Sequence, residues 1–344
     1  METTFYNKRI AGILGILPEN TYSFEDEVRD GDSVRNQKIK RNMGYGKRYR
    51  AKKDTTTAQL CIKGLQYLLE KAYIKTEEIG AILVTSFTPD YFVPQISNLI
   101  QGEFNLPIDV FAVDYWAGCS GYIKGLMNAF MLLESWKEDK KVLLFSGDVI
   151  NRTQSEKEIY DTPPYGGDAA SITILENTQY DCEIPYMLKT NGEVKDLLSF
   201  KQGAFADIFH EQKNVWMPAD VNGSFRFYQM CVPDIMKQIV AYADCSMDEI
   251  EHFFFLQANK LSAQKFADKL GLDRTKVSMD LVEKYGDLSA TLNPVSIVDF
   301  YGEKLLEKEN HFVSICGYGL GAEWGAALVN LGNLICCENI VTDL

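Results

Sequence analysis

Three histidines are all that the 344 residues contain, and the eight cysteines (Cys61, Cys119, Cys182, Cys231, Cys245, Cys316, Cys336, Cys337) fall in no CxxC or Cys/His pattern. Local spacing of that kind assembles no zinc ligand set, so no metal site is expected. No stretch of about 18 apolar residues occurs, so no membrane-spanning helix is expected. The opening METTFYNKRIAG lacks the apolar core of a signal peptide. Reduced cysteines in the cytoplasm are the expected setting. Positive charge is also scarce: 35 Lys and Arg stand against 48 Asp and Glu, a net charge of −13. Phosphate contacts need clustered cations, so nucleic acid is not an expected partner.

What is present is a folded core. The chain is 46% hydrophobic and 24% charged, which suits about two globular units. Short apolar runs at Ala81–Thr85, Val110–Val113, Val142–Ser146 and Ile172–Leu175 read as strands buried on both faces. Helical spacing appears over Thr55–Ala72 and over Ser120–Trp136, where Ile123, Leu126, Met127, Phe130 and Leu133 form one stripe. The second half repeats the theme. A helix is expected over Val232–Ala243 with Pro233 in its first turn, then a strand at His252–Leu256, a helix at Leu261–Leu270 and a strand at Phe312–Cys316. This alternation predicts an α/β fold with sheets covered by helices. The polar ENTQY at Glu176–Tyr180 divides the chain into halves at 1–176 and 177–344. Lys189–Gly223 reads as a surface excursion beside a substrate entrance.

One turn carries chemistry. In Asp109–Gly125 (DVFAVDYWAGCSGYIKG) a strand runs into small residues and then a helix, placing Cys119 at a helix N-terminus. The partial positive charge there favours the thiolate and lowers the thiol pKa. Gly118 and Gly121 would let backbone approach a substrate. Such a thiolate attacks a thioester carbonyl and holds the acyl group covalently; the bland alternative is a small buried residue.

The run AGCSGY at Ala117–Tyr122 resembles the nucleophile turn of the ketoacyl-ACP synthase III family. Five further segments match in the same order. Gly147–Thr153 (GDVINRT) and Gly166–Leu175 (GGDAASITIL) come first, and Leu256–Asn259 (LQAN) stands where the family has HQAN. Gly286–Pro294 (GDLSATLNP) stands for GNTSAASVP, and Gly317–Gly325 (GYGLGAEWG) for GFGGGFTWG. The resemblance spans essentially the whole chain. It implies a thiolase-like, five-layered αβαβα fold built from two duplicated halves, and a homodimer. It also implies an oxyanion hole from the backbone N–H groups of Cys119 and Leu320.

Two departures stand at the family's His and Asn positions, which hold Leu256 and Asp287. In the family both residues donate to the enolate formed when malonyl-ACP loses carbon dioxide. Leucine has no donor and an ionised Asp only accepts, so the pair disfavours decarboxylative condensation. His252 is roughly 13 Å along the strand from Leu256 and does not substitute; His210 and His311 are expected at the surface. Asp287 reads either as a turn residue or as a general base for a hydroxyl or amine, its pKa raised by burial.

The basic run Arg35–Lys53 is either a solvated face or a docking site for the phosphopantetheine arm of acyl-ACP or acyl-CoA. The family's CoA-gripping Trp and Arg fall at Lys38 and Asn42, with Lys40, Arg41 and Arg152 as neighbours able to compensate. Ser86–Pro94 resembles the loop that caps the partner's acyl tunnel, with Val93 and Phe92 as the tunnel residues. Glu323, Trp324 and Gly325 read as structural. The expectation is an acyltransferase that forms an acyl-Cys119 thioester, needs no permanently bound cofactor, and passes the acyl group to oxygen or nitrogen. The alternatives are a decarboxylating 3-oxoacyl-ACP synthase III and a non-catalytic partner subunit.

Overall fold

The structure, a computed structural model, describes residues 1–28, 33–136, 139–153, 166–197, 220–319 and 321–344, without the side chains of residues 152, 153 and 221. His210, Leu320 and most of the excursion expected at 189–223 lie outside the described residues, as does the Arg152 side chain.

The strands of the first half are β1 (Glu2–Tyr6), β2 (Lys8–Pro18), β3 (Thr21–Ser23), β4 (Lys47–Tyr49), β5 (Ile79–Ser86), β6 (Phe111–Trp116), β7 (Lys141–Asp148) and β8 (Ala169–Asn177). Those of the second are β9 (Glu183–Thr190), β10 (His252–Phe255), β11 (His311–Gly319), β12 (Glu323–Leu331) and β13 (Cys337–Thr342). One sheet has the order β13-β2-β8-β7-β5-β6 and the other β1-β9-β12-β11-β10, while β3 and β4 form a separate hairpin. The duplication is visible in the pairing. Series β2-β8-β7-β5 and β9-β12-β11-β10 both run antiparallel, antiparallel, parallel. The halves also exchange terminal strands: β1 pairs with β9 of the second half, and β13 with β2 of the first.

The helices are α1 (Phe24–Glu27), α2 (Val34–Met43), α3 (Thr57–Glu70), α4 (Ile96–Glu103), α5 (Gly121–Ser135), α6 (Val221–Tyr242), α7 (Lys260–Leu270), α8 (Leu281–Tyr285) and α9 (Leu292–Tyr301). Helices α3 and α4 cover the outer face of the six-stranded sheet, and α6 and α7 that of the five-stranded one. Between the sheets lie α5 and α9, which completes the five layers. This position explains why α5 is apolar on more than one stripe. Tyr122 and Ala129 are buried together with the expected Ile123, Leu126, Met127, Phe130 and Leu133, because sheets cover two of its sides and leave only a narrow strip, with Met131 and Glu134, at the surface. Helix α3 begins at a capping box, in which Thr56 and Gln59 each accept the other's backbone N–H.

Helix α6 differs from expectation. It starts at Val221 rather than Val232, so Pro233 lies in its interior. An internal proline leaves the carbonyl four residues earlier without its N–H partner. Here that carbonyl, on Gln229, accepts from Lys269 Nζ of α7 at 2.7 Å. Lys269→Met should therefore cost about 0.5–1.5 kcal/mol in urea unfolding. The cost should shrink when combined with Pro233→Ala, which restores an N–H to Gln229.

Candidate active site

Strands β5, β6 and β7 are mutually parallel, as are β10 and β11, and their C-terminal ends supply the candidate residues. After β6 the chain turns through Ala117–Ser120 into α5, with Gly121 N–H donating to Gly118 O at 2.6 Å. Cys119 lies in this turn and keeps some accessible surface. The end of β11 packs directly on it: a Cβ added to Gly319 would lie 2.8 Å from Ser120 N and 2.9 Å from Cys119 Cβ. Only glycine permits that approach. Glu323, opening β12, accepts from the Ser120 hydroxyl at 3.2 Å and pairs with Lys124 at 2.7 Å, tying the β11–β12 turn to α5. Trp324 is buried, with Phe227 edge-on to its ring. Gly121 serves packing rather than substrate approach, since a Cβ there would meet Ala290 and Thr85 at 3.2 Å.

A further segment of the site is Gly286–Thr291, where an isolated bridge at Asp287 runs into a 3-10 turn. Gly167 N–H donates to Asp287 O at 2.9 Å, and Ser289 N–H donates to Asp287 Oδ1 at 2.9 Å. Asp287 thus holds its own turn, as one reading expected, and is also buried. Burial raises its pKa to about 6, partly offset by the Ser289 N–H. Ser289 adopts φ +54°, a left-handed conformation uncommon for a side-chain-bearing residue. From there its hydroxyl donates to Cys119 Sγ at 3.8 Å. Leu256 is buried in the apolar cluster on which Cys119 packs.

The expected lowering of the thiol pKa is not what this environment produces. Burial pushes the Cys119 thiol up, and the negative charge of Asp287 pushes it further, against a smaller opposing effect of the Ser289 hydroxyl. The magnitudes explain the outcome. A helix terminus contributes about 0.3–1 kcal/mol, under one pKa unit, whereas burial of a charge shifts a pKa by up to about 3–5 units.

Two residues close to this centre were not singled out from sequence. Asp148, at the end of β7, is fully buried with a pKa raised by burial to about 7. Tyr318 lies one residue before Gly319, and its charge interactions reach both Asp287 and Cys119. Its hydroxyl is buried without a hydrogen-bond partner among the described residues.

The other expectations divide. His252 is a core histidine, buried beneath Phe300, with Nε2 3.1 Å from Ser278 Oγ and its pKa lowered by burial to about 4. His311 Nδ1 pairs with Glu251 at 2.9 Å. In the basic run, Lys38 and Arg41 on α2 are exposed, while Lys40 is engaged with Glu25. Arg48 and Arg50, however, are buried. Arg48 grips Glu27 through two hydrogen bonds and donates to Gly166 O at 2.9 Å, and Arg50 lies over the Tyr22 ring. The run is therefore part structural anchor and only part solvated face. Phe92 and Val93 face solvent in the single chain, Val93 at 79% exposure, and Phe92 stacks on Trp116. Among the described residues, no group of three or more His, Cys, Asp or Glu is placed to hold a metal, and no helix is long and apolar enough to cross a membrane.

Two duplicated α/β halves sharing a middle helix layer, with a cysteine on the turn into that layer, define a thiolase-fold protein. Residues 240–331 match the family model described as 3-oxoacyl-[acyl-carrier-protein (ACP)] synthase III C terminal. A putative 3-oxoacyl-[acyl-carrier-protein] synthase 3 of Campylobacter jejuni is 27% identical, covering 97% of each chain. A beta-ketoacyl-[acyl-carrier-protein] synthase III of Latilactobacillus sakei is 28% identical over 91% of this chain and 96% of its own. The crystal structure of a 3-oxoacyl-(acyl-carrier protein) synthase from Burkholderia xenovorans superposes with a TM-score of 0.90 at 27% identity, covering 99% of both chains. Over nearly its whole length the chain is similar to ketoacyl-ACP synthase III condensing enzymes, and its C-terminal part matches that family's model.

The charge environment of Cys119 has a direct readout. Asp287→Asn removes the nearest negative charge, and a like charge at that range is worth on the order of one pKa unit. Alkylation of Cys119 by iodoacetamide at pH 8 should accelerate by roughly tenfold, since one unit is a factor of ten in thiolate. Peptide mapping of the alkylated thiols checks it.

Proposed function

We propose that this protein is an acyltransferase that loads an acyl group from acyl-CoA or acyl-ACP onto Cys119 and passes it to a hydroxyl or amine, with Asp287 as the base. The observation that carries this reading is a buried carboxylate beside the nucleophile, with a pKa of about 6. At neutral pH it is ionised and still basic enough to take a proton from an attacking O–H or N–H. The same carboxylate would repel an enolate. In the first half-reaction Cys119 sulfur adds to the thioester carbonyl, the oxyanion is held by the backbone N–H groups of Cys119 and Leu320, and the donor thiol departs. In the second, the acceptor gives its proton to Asp287 as it attacks, and the sulfur leaves.

The donor's phosphopantetheine arm would reach the site past the exposed Lys38 and Arg41, with Lys40 beside them in sequence and Arg152 a further candidate from the segment after β7. A homodimer accounts for the edge of the six-stranded sheet. Strand β6 has no neighbouring strand on its outer side among the described residues, its ends expose Phe111 and Trp116, and the Phe92–Val93 loop lies exposed beside it. An uncovered edge of that kind is suited to a second copy, which would bring Phe92 and Val93 to the partner's tunnel. The eight free thiols suit a reducing, cytoplasmic setting.

Incubation with a panel of acyl-CoA and acyl-ACP donors, read by intact-protein mass, should give one acyl adduct that Cys119→Ala abolishes. Lack of any adduct would leave only the non-catalytic subunit reading. In Asp287→Asn the adduct should persist, because transfer slows by about 10²–10⁴. In the unsubstituted protein, transfer should fall as pH drops through about 6, where Asp287 takes up its proton.

Decarboxylative condensation is favoured by one observation, the Tyr318 hydroxyl. Its oxygen is buried and lies within hydrogen-bond distance of no partner among the described residues, although Ser262 is near it, in a site whose family histidine position holds Leu256. If condensation is the reaction, malonyl-ACP should release carbon dioxide, and Tyr318→Phe should cut that release by about 10²–10³, the usual cost of one oxyanion donor. No release above the Cys119→Ala background would remove this reading.

A further inference from the structure

A thiol with an elevated pKa must lose its proton before or while its sulfur attacks. Resting on the acyl-enzyme reading above, the question is where that proton goes. Asp148 offers an unusual answer in its geometry. Its Oδ1 is saturated, accepting from Ser86 Oγ at 3.0 Å, Phe87 N–H at 2.9 Å, Thr88 N–H at 3.2 Å and Thr88 Oγ1 at 3.0 Å. Its Oδ2 is buried and accepts from nothing within hydrogen-bond distance among the described residues. A carboxylate oxygen left bare in the interior costs about 1–3 kcal/mol or more, so its presence calls for a reason. Ser289 is the group between Asp148 and Cys119: its hydroxyl favours the ionised form of Asp148 and reaches Cys119 Sγ at 3.8 Å.

We propose that Ser289 and Asp148 form the proton exit from Cys119, with Asp148 Oδ2 as the terminal acceptor. As the sulfur lone pair adds to the thioester carbonyl, the S–H bond breaks and its proton passes to Ser289 Oγ. The Ser289 hydroxyl proton passes in turn to Asp148 Oδ2, turning carboxylate into carboxylic acid. When the tetrahedral adduct collapses, the C–S bond to the donor breaks, and the departing thiolate takes one proton back along the same line. Ser289 touches the reacting sulfur; Asp148 acts through it. The two carboxylates then have separate duties, Asp148 in loading and Asp287 in transfer.

The arrangement has a signature that a merely structural carboxylate would not give. The groups facing Asp148 are Ser86 and Thr88 after β5, Cys61 on α3, Cys119, and Ser289 with Asp287 beyond it. None is a cation, so removing its charge by Asp148→Asn lowers repulsion on the thiolate and, by charge alone, would speed loading. The proton exit predicts the reverse. Loading from acetyl- and octanoyl-N-acetylcysteamine thioesters at pH 7.5, followed by intact mass, should slow at least tenfold in Asp148→Asn. Ser289→Gly, which suits the left-handed backbone and removes the hydroxyl together with its Cβ, should do the same. The double variant should be no slower than the slower single one, because both act on one path. Loading in the unsubstituted protein should fall as pH drops through about 7, a limb absent from Asp148→Asn. Loading at an equal or higher rate in Asp148→Asn, or fully multiplicative losses in the double variant, overturns the proposal. Absence of any adduct in the unsubstituted protein overturns the acyl-enzyme reading itself, and this proposal with it.

Discussion

The sulfur of Cys119 is held where burial and a neighbouring carboxylate both oppose its ionisation, and the rest of the site is organised around that cost. Its place is set by layers far larger than the turn itself. Helix α5 is gripped on both sides by sheets, so the turn into it has little freedom. The β11–β12 turn closes on the other side through Gly319 and the Glu323–Lys124 pair. A thiol fixed this firmly loses little entropy on reaction, and with its pKa raised it needs a proton acceptor nearby. Carboxylates inside the protein are the available acceptors, and two of them lie close by.

Much of the fold was legible because buried parallel strands announce themselves. Runs such as Ala81–Thr85 and Val142–Ser146 are apolar on all but their last residue since helices cover both faces. The layer order and the duplication came with the resemblance, not from any pattern in the composition. The exchange of β1 and β13 between halves left no local mark, since a strand's own residues do not say which sheet accepts it. The start of α6 was missed for a definite reason. Proline normally marks a first turn, and the compensation that lets Pro233 sit in the interior comes from Lys269, on a different helix.

The site was legible to a similar depth. Cys119 and Asp287 stood out by position, and the elevation of the Asp287 pKa followed from burial, as expected. The direction of the Cys119 shift did not, because a helix end is a local property and desolvation is a tertiary one. Arg48 and Arg50 misled for the same reason: charge in a sequence does not show which cations are buried against Glu27 or a tyrosine ring. Asp148 was in view as part of GDVINRT, yet only the saturation of one of its oxygens and the bareness of the other mark it out.

Leu256 and Asp287 are best understood as one change rather than two. A histidine at 256 would bring a protonatable ring to the site and, when charged, would favour the ionised carboxylate and depress its pKa. Leucine adds apolar surface instead and offers no proton, which is the condition under which a buried carboxylate stays basic near neutrality. An asparagine at 287 would be neutral and would leave the Cys119 thiol easier to ionise. Asp287 makes that ionisation harder, so in the proposed acyl transfer this pair would supply a base for the second half-reaction at the expense of the first. The compensation has to come from the loading side of the site, where the Ser289 hydroxyl and the open oxygen of Asp148 stand.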